Sequence, residues 1–138
     1  MKIIVDTSAL VALYIPEKFS EIVKQKIEEA DEYHFLDLTY YEFTNAIRKR
    51  VARKEIDENY AMKILNSGIE FLANSTVHEG KDLVKTAYEI GLKYNLTVYD
   101  ASLIALANRI NAPILTTDEK LLNAVKSTSL SSMFIQLA

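Results

Sequence analysis

The stretch KIIVDTSALVALYIP, residues 2–16, decides the fold. Lys2 to Val5 is a short, β-branched apolar run and reads as a central strand. Thr7 or Ser8 then caps a helix through about Tyr14, and Pro16 stops it. The segment is apolar, but Asp6 and Pro16 interrupt it and no small-residue cleavage site follows. It therefore reads as strand plus helix, rather than as a signal peptide or a membrane span.

Outward from this unit, strands and helical patterns alternate. A helix is expected from Ser20 to Ala30, with Ile22, Val23, Ile27 and Ala30 on its inner face. Tyr33 to Leu36 reads as a strand, and Thr39 to Arg53 as a helix. Asp57 caps a further helix that is expected to stop near Gly68. Ser75 to Val77 is a weak strand and Leu83 to Tyr94 a helix. Leu96 to Tyr99 reads as extended, leading into a helix from Asp100 to Arg109. Pro113 to Leu115 is a strand, Glu119 to Val125 a short helix, residues 127–132 (STSLSS) a loop, and Met133 to Leu137 an edge strand. Such alternation implies a mostly parallel sheet covered on both faces. Residues 1–138 read as one domain, a length at which roughly 70% of the chain's surface is buried.

Charged residues make up 25% of the chain and apolar ones 49%, an ordinary balance for a globule rather than a disordered segment. The absence of cysteine excludes disulfides, a thiolate nucleophile and thiolate-bound zinc. A reducing cytoplasm suits such a chain.

Four carboxylates stand where strands should meet helices: Asp6 after KIIV, Glu42 in TYYEFTNAIRKR, Asp100 at the start of DASLIALA, and Asp118 after PILTT. In a parallel sheet, loops from separate units gather over one crevice, so acids remote in sequence can meet there. A convergent acidic cluster repels itself without a divalent cation, which points to metal-dependent chemistry on phosphodiesters. Magnesium and manganese take oxygen ligands and keep several waters, and either one or two ions fit the pattern. Each acid also has a plainer reading: Asp6, Asp100 and Asp118 as helix caps, Glu42 as a solvent-facing residue. Thr7, Ser8, Asn45 and Thr116 are candidates to orient these acids, and are equally plausible as caps or packing groups.

The net charge of −3 argues against a non-specific nucleic-acid coat, yet five cations crowd seven residues in RKRVARK: Arg48, Lys49, Arg50, Arg53 and Lys54. They can steer a polyanion toward an acidic pocket, or simply complement a helix C-terminus. His34 reads as structural, and His78 as more exposed, with no acid–histidine pair evident. Tyr14, Tyr40 and Tyr41 lie closest to the expected pocket among the tyrosines. No GxGxxG or Walker pattern is present, which speaks against nucleotide binding.

VDTSAL at 5–10, Glu42 with Asn45, YDASLIALA at 99–107 and ILTTDEKLL at 114–122 together resemble the four signatures of PIN domains, most closely those of VapC-type ribonuclease toxins. The resemblance implies a three-layer α/β/α sandwich whose five-stranded sheet runs in the order 3-2-1-4-5. It implies a Mg²⁺- or Mn²⁺-dependent endoribonuclease with Asp6, Glu42, Asp100 and Asp118 as its acids. A VapB-type antitoxin partner, a homodimer, and an RNA substrate follow from the same resemblance. RNA processing outside a toxin system and a non-catalytic RNA- or partner-binding module are the alternatives. A phosphohydrolase with an aspartyl nucleophile wants a second Asp two residues after Asp6, where this chain has Ser8.

Overall fold

Four parallel strands form the centre of the molecule, in a computed structural model that describes residues 1–137. Strand β1 (Lys2–Val5) lies between β2 (Glu32–Leu36) and β4 (Ile114–Leu115), while β3 (Thr76–His78) flanks β2. The order is β3-β2-β1-β4 and every pairing is parallel. Successive strand residues point to opposite faces, so an uninterrupted apolar β1 needs cover on both. Ile3, Val5 and Phe35 pack with helices α1 (Thr7–Tyr14), α2 (Ser20–Glu29), α3 (Leu38–Ala52) and α4 (Glu58–Ala73). Ile4 and Leu36 pack on the other side with α5 (Val84–Tyr94), α6 (Val98–Ile110) and α7 (Glu119–Val125). The expected α/β/α sandwich is thus observed.

The expected fifth strand is reduced to one parallel bridge, Ile114 to Phe134, reinforced by the Ile135 amide donating to the Ile114 carbonyl at 2.8 Å. β4 offers only two residues of ladder, and Ser129–Met133 winds into a 3₁₀ turn instead of a loop. Its position beside β4 keeps the expected order.

Two helix boundaries differ from those expected. α4 passes straight through Gly68 to Ala73. A Cβ at Gly68 would lie 2.3 Å from Cε2 of the fully buried Phe43. The glycine is a notch that admits the Phe43 ring between α3 and α4, not a stop signal. α6 begins at Val98, because Thr97 supplies the N-cap by accepting the Asp100 amide at 3.2 Å. Leu96 to Tyr99 is therefore not an extended segment, and Asp100 sits inside the first helical turn.

The topology sets the location of any site. From β1 the chain winds outward through β2 to β3, then crosses to β4 on the opposite side of β1. The carboxyl ends of β1 and β4 consequently flank the point where strand order reverses, which is where open α/β sheets form their crevice.

Candidate active site

Asp6 leaves β1 and caps α1, its Oδ1 accepting the Thr7 amide at 2.8 Å. Capping therefore falls to Asp6 itself rather than to Thr7 or Ser8, and one oxygen suffices for it. The second oxygen, Oδ2, receives the Thr116 hydroxyl at 2.7 Å and lies 3.1 Å from that of Ser8. The two hydroxyls are themselves 3.0 Å apart. Thr116 follows β4 and is fully buried, so this belt ties the ends of the two central strands together. It extends further: the Thr117 amide donates to Ser8 Oγ at 3.0 Å, and the Asp118 amide to Thr116 Oγ1 at 3.1 Å.

Burial is the main reason that the Asp6 carboxyl is pushed up from 3.8 to about 6; the hydroxyls of Thr116 and Ser8 oppose the rise, and the charge of Glu42 adds to it. Asp100 is also raised, by burial first and by the neighbouring charge of Asp118 second. Asp118 caps α7 through Oδ1, which accepts the Leu121 amide at 3.1 Å. Glu42 is exposed on the second turn of α3, and its Oε1 accepts the Thr7 hydroxyl at 2.8 Å. Asp6, Glu42, Asp100 and Asp118 all line one cleft of about 350 Å³. The capping and the convergent readings of Asp6 and Asp118 hold together, since each uses one oxygen for its cap.

Asn45 does not reach Glu42: its Oδ1 accepts from Arg48 Nε at 2.9 Å. These two residues line, with Tyr40 and Tyr41, a separate and wider hollow of about 600 Å³ on the outer face of α3. Tyr41 is 79% exposed there, whereas Tyr14 packs against Phe43 at 6.0 Å. The basic run divides. Arg50 pairs with Glu17 at 3.2 Å and Glu55 at 3.3 Å. Lys49, Arg53 and Lys54 are exposed at the end of α3.

Two residues of the site escaped the sequence reading. Glu17 lines the acidic cleft beside the four expected acids. It follows the helix-ending Pro16, where an acidic residue looks like any surface loop charge. Thr39 is almost fully buried, and its Oγ1 lies 3.3 Å from the hydroxyl of Thr7. Its side chain supports Thr7 where Thr7 holds Glu42.

Away from the cleft, His34 and His78 do form an acid–histidine chain. Glu32 Oε1 lies 2.7 Å from His34 Nε2, and His34 Nδ1 lies 2.9 Å from His78 Nε2. Where His34 Nε2–H donates to Glu32, the bond to His78 is made through His34 Nδ1. The rings stack with centroids 5.1 Å apart. Burial and then the charge of His34 lower the pKa of His78.

Among the described residues, no three His, Asp or Glu side chains stand close enough to enclose a metal ion by themselves. The four acids instead face a shared, open volume. No helix among the described residues is long and apolar enough to cross a membrane.

Comparison with known proteins agrees with this geometry. Residues 3–126 match the PIN domain family. Ribonuclease VapC3 of Pyrobaculum aerophilum is 40% identical over 121 residues, covering 88% of this chain and 92% of that protein. Ribonuclease VapC1 of Mycobacterium tuberculosis is 31% identical over 123 residues, covering 86% of each. A crystal structure from Pyrobaculum aerophilum superposes with a TM-score of 0.68 at 27% identity, over 93% of this chain and 82% of that one. A strand-end Asp6 braced by hydroxyls from both central loops, within a chain of these likenesses, places the protein in the PIN-domain family, closely matching the VapC-type ribonuclease toxins.

Proposed function

We propose that the chain is a Mg²⁺- or Mn²⁺-dependent endoribonuclease that hydrolyses RNA phosphodiester bonds, and that it is the toxin of a toxin–antitoxin pair. The observation that carries this reading is the opening of Asp6, Glu42, Asp100 and Asp118 onto one cleft at the switch point of the sheet. The names of the two ribonuclease relatives support the substrate class.

The donor chemistry fits a hard cation. The acids offer only oxygen, and the raised pKa of Asp6 marks a carboxylate whose charge the protein alone leaves under-compensated. Asp6, Glu42, Asp100 and Asp118 would hold one or two ions, which when bound would activate water and neutralise charge on the phosphate. The chain's own part is positioning. Thr116 and Ser8 direct protons at Asp6 Oδ2 and so favour its ionised form. Thr7 fixes Glu42 across the cleft from Asp6. The α7 cap engages only Oδ1 of Asp118, while Asp6 gives Oδ1 to the α1 cap and Oδ2 to the two hydroxyls that orient it.

A homodimer and a VapB-type antitoxin belong to the same proposal. Val84, Tyr88 and Leu92 recur every four residues on α5 and are all exposed, a stripe that suits burial against a second copy. The groove between α3 and α4, floored by Ile47, Val51, Ala61 and Leu65, suits the apolar face of an antitoxin helix.

The test is cleavage of a panel of structured RNAs, tRNA and rRNA fragments included, by purified protein in Mg²⁺, Mn²⁺ or EDTA. Metal-dependent fragments that vanish in Asp6→Asn and Asp100→Asn are expected. Equal cleavage by wild type and both variants would overturn the proposal.

A further inference from the structure

α3 carries two faces past the cleft. Glu42, Ala46 and Arg50 follow one another at four-residue spacing, and both Glu42 and Ala46 line the acidic cleft. The pair of Arg50 with Glu17, which lines the cleft, puts the guanidinium at the cleft's rim, about 12 Å along the helix axis from Glu42. Arg48, by contrast, belongs to the outer hollow with Tyr41 and Asn45.

The guanidinium of Arg50 is held in two ways that differ in kind. Its Nε pairs with Glu55 at 3.3 Å, and its Nη2 with Glu17 at 3.2 Å. Glu55 is tied to the same helix end, because its amide donates to the Arg50 carbonyl at 2.9 Å while Lys54 takes φ 62°. These are the bonds of a Schellman motif, so Glu55 and Arg50 move as one unit. Glu17 comes from the far side, just after α1, and lines the cleft. It presents a carboxylate to an arginine fork at the rim of a cleft that already holds four acids. A fifth negative charge there opposes entry of RNA unless something displaces it.

We propose that Glu17 is an internal stand-in for a phosphate of the RNA strand, and that Arg50, oriented by Glu55, is the residue that takes that phosphate when RNA binds. The inference rests on the ribonuclease reading and names how the strand is held beside the acids. A carboxylate and a phosphate oxygen make the same planar, charge-assisted pair with guanidinium, so one exchanges for the other without moving Arg50. Glu17 then loses its partner and turns to solvent, and the exchange sets the strand's position relative to Asp6 and Glu42.

Binding of fluorescently labelled tRNA, measured by anisotropy in Ca²⁺ across a salt series, separates this role from a structural ion pair. Glu17→Gln is expected to bind roughly threefold to tenfold tighter, since the competing anion is gone. Arg50→Ala is expected to bind about tenfold more weakly and to reduce the salt slope by about one. Arg50→Lys recovers part of the loss, lacking the fork. The double variant gains much less over Arg50→Ala than Glu17→Gln gains over wild type, because the competition for Arg50 is gone and only the bare cleft charge is removed. Lys85→Ala, on α5, serves as the charge control and leaves affinity unchanged. The proposal is overturned if Glu17→Gln binds no tighter than wild type, if Arg50→Ala binds no more weakly than Lys85→Ala, or if wild type does not bind the tRNA. Failure of the nuclease reading is separately visible, as binding with this pattern but no metal-dependent fragments from wild type.

Discussion

The acidic cleft and the histidine chain are both clusters of titratable side chains on the same sheet, and they are built on opposite principles. Glu32, His34 and His78 point at one another, each satisfying the next within 2.9 Å. Asp6, Glu42, Asp100 and Asp118 instead face a common space, with Thr7, Ser8, Thr97 and Thr116 handling their orientation from behind. A polar cluster that closes on itself stabilises the fold. One whose members are braced from outside and aimed inward is left with charge to spend on something else, which is the mark of a site.

The comparison breaks most sharply on Asp6. Asp6→Asn keeps the α1 cap but loses the charge, and RNA cleavage is expected to fall by about 10²–10³-fold, the scale for removing one key electrostatic group. Unchanged circular dichroism beside that loss is the required companion result. Thr116→Val removes the shortest bond to Asp6 Oδ2 and nothing that faces substrate; under the metal role proposed for Asp6, a drop of about 10- to 100-fold in activity or metal affinity is expected. Isothermal titration with Mn²⁺ tells whether the loss lies in binding. On the opposite side, His34→Leu strands the His78 donor, so urea melts are expected to show about 1–2 kcal/mol less stability. Cleavage at a temperature where the variant is folded stays within about twofold; a large activity loss there would erase the distinction between the clusters.

A smaller effect sharpens it. The Asp6 carboxyl is raised in the fold from 3.8 to about 6. Between these values the native state holds a proton that the unfolded chain has released, so Asp6 lowers stability as pH rises through that window. Metal-free thermal melts between pH 4 and pH 7 are expected to show this decline, and Asp6→Asn to flatten it. Saturating Mn²⁺ is expected to restore stability at the neutral end, because the cation selects the ionised carboxylate.

Much of this was legible in the chain. KIIV, bounded by an acid and a helical pattern, leaves little choice but a central parallel strand, and Asp6 and Asp118 stand out by their place after strands. What was hidden depended on three-dimensional neighbours. Gly68 looks like a helix stop until Phe43 is seen to occupy its missing side chain. Thr97 outcompetes Asp100 as a cap, which only the path of the backbone decides. The division of RKRVARK into an outward Arg48 and a cleft-facing Arg50 follows from helical phase, but the partner Glu17 lies 33 residues away on another element. Likewise, His34 and His78 meet only because β3 pairs beside β2 in a register that brings Leu36 opposite His78.

The bond from Thr116 to Asp6 spans 110 positions of the chain. A ribosome adding 5–20 residues per second takes roughly 5–20 s to cover that interval. During it the nascent polypeptide has Asp6, Thr7 and Glu42 outside but neither Thr116 nor Asp118 to complete the cleft. Synthesis itself thus acts as a timer: the cleft stays incomplete until the last third of the chain, with Asp100, Thr116 and Asp118, has been made.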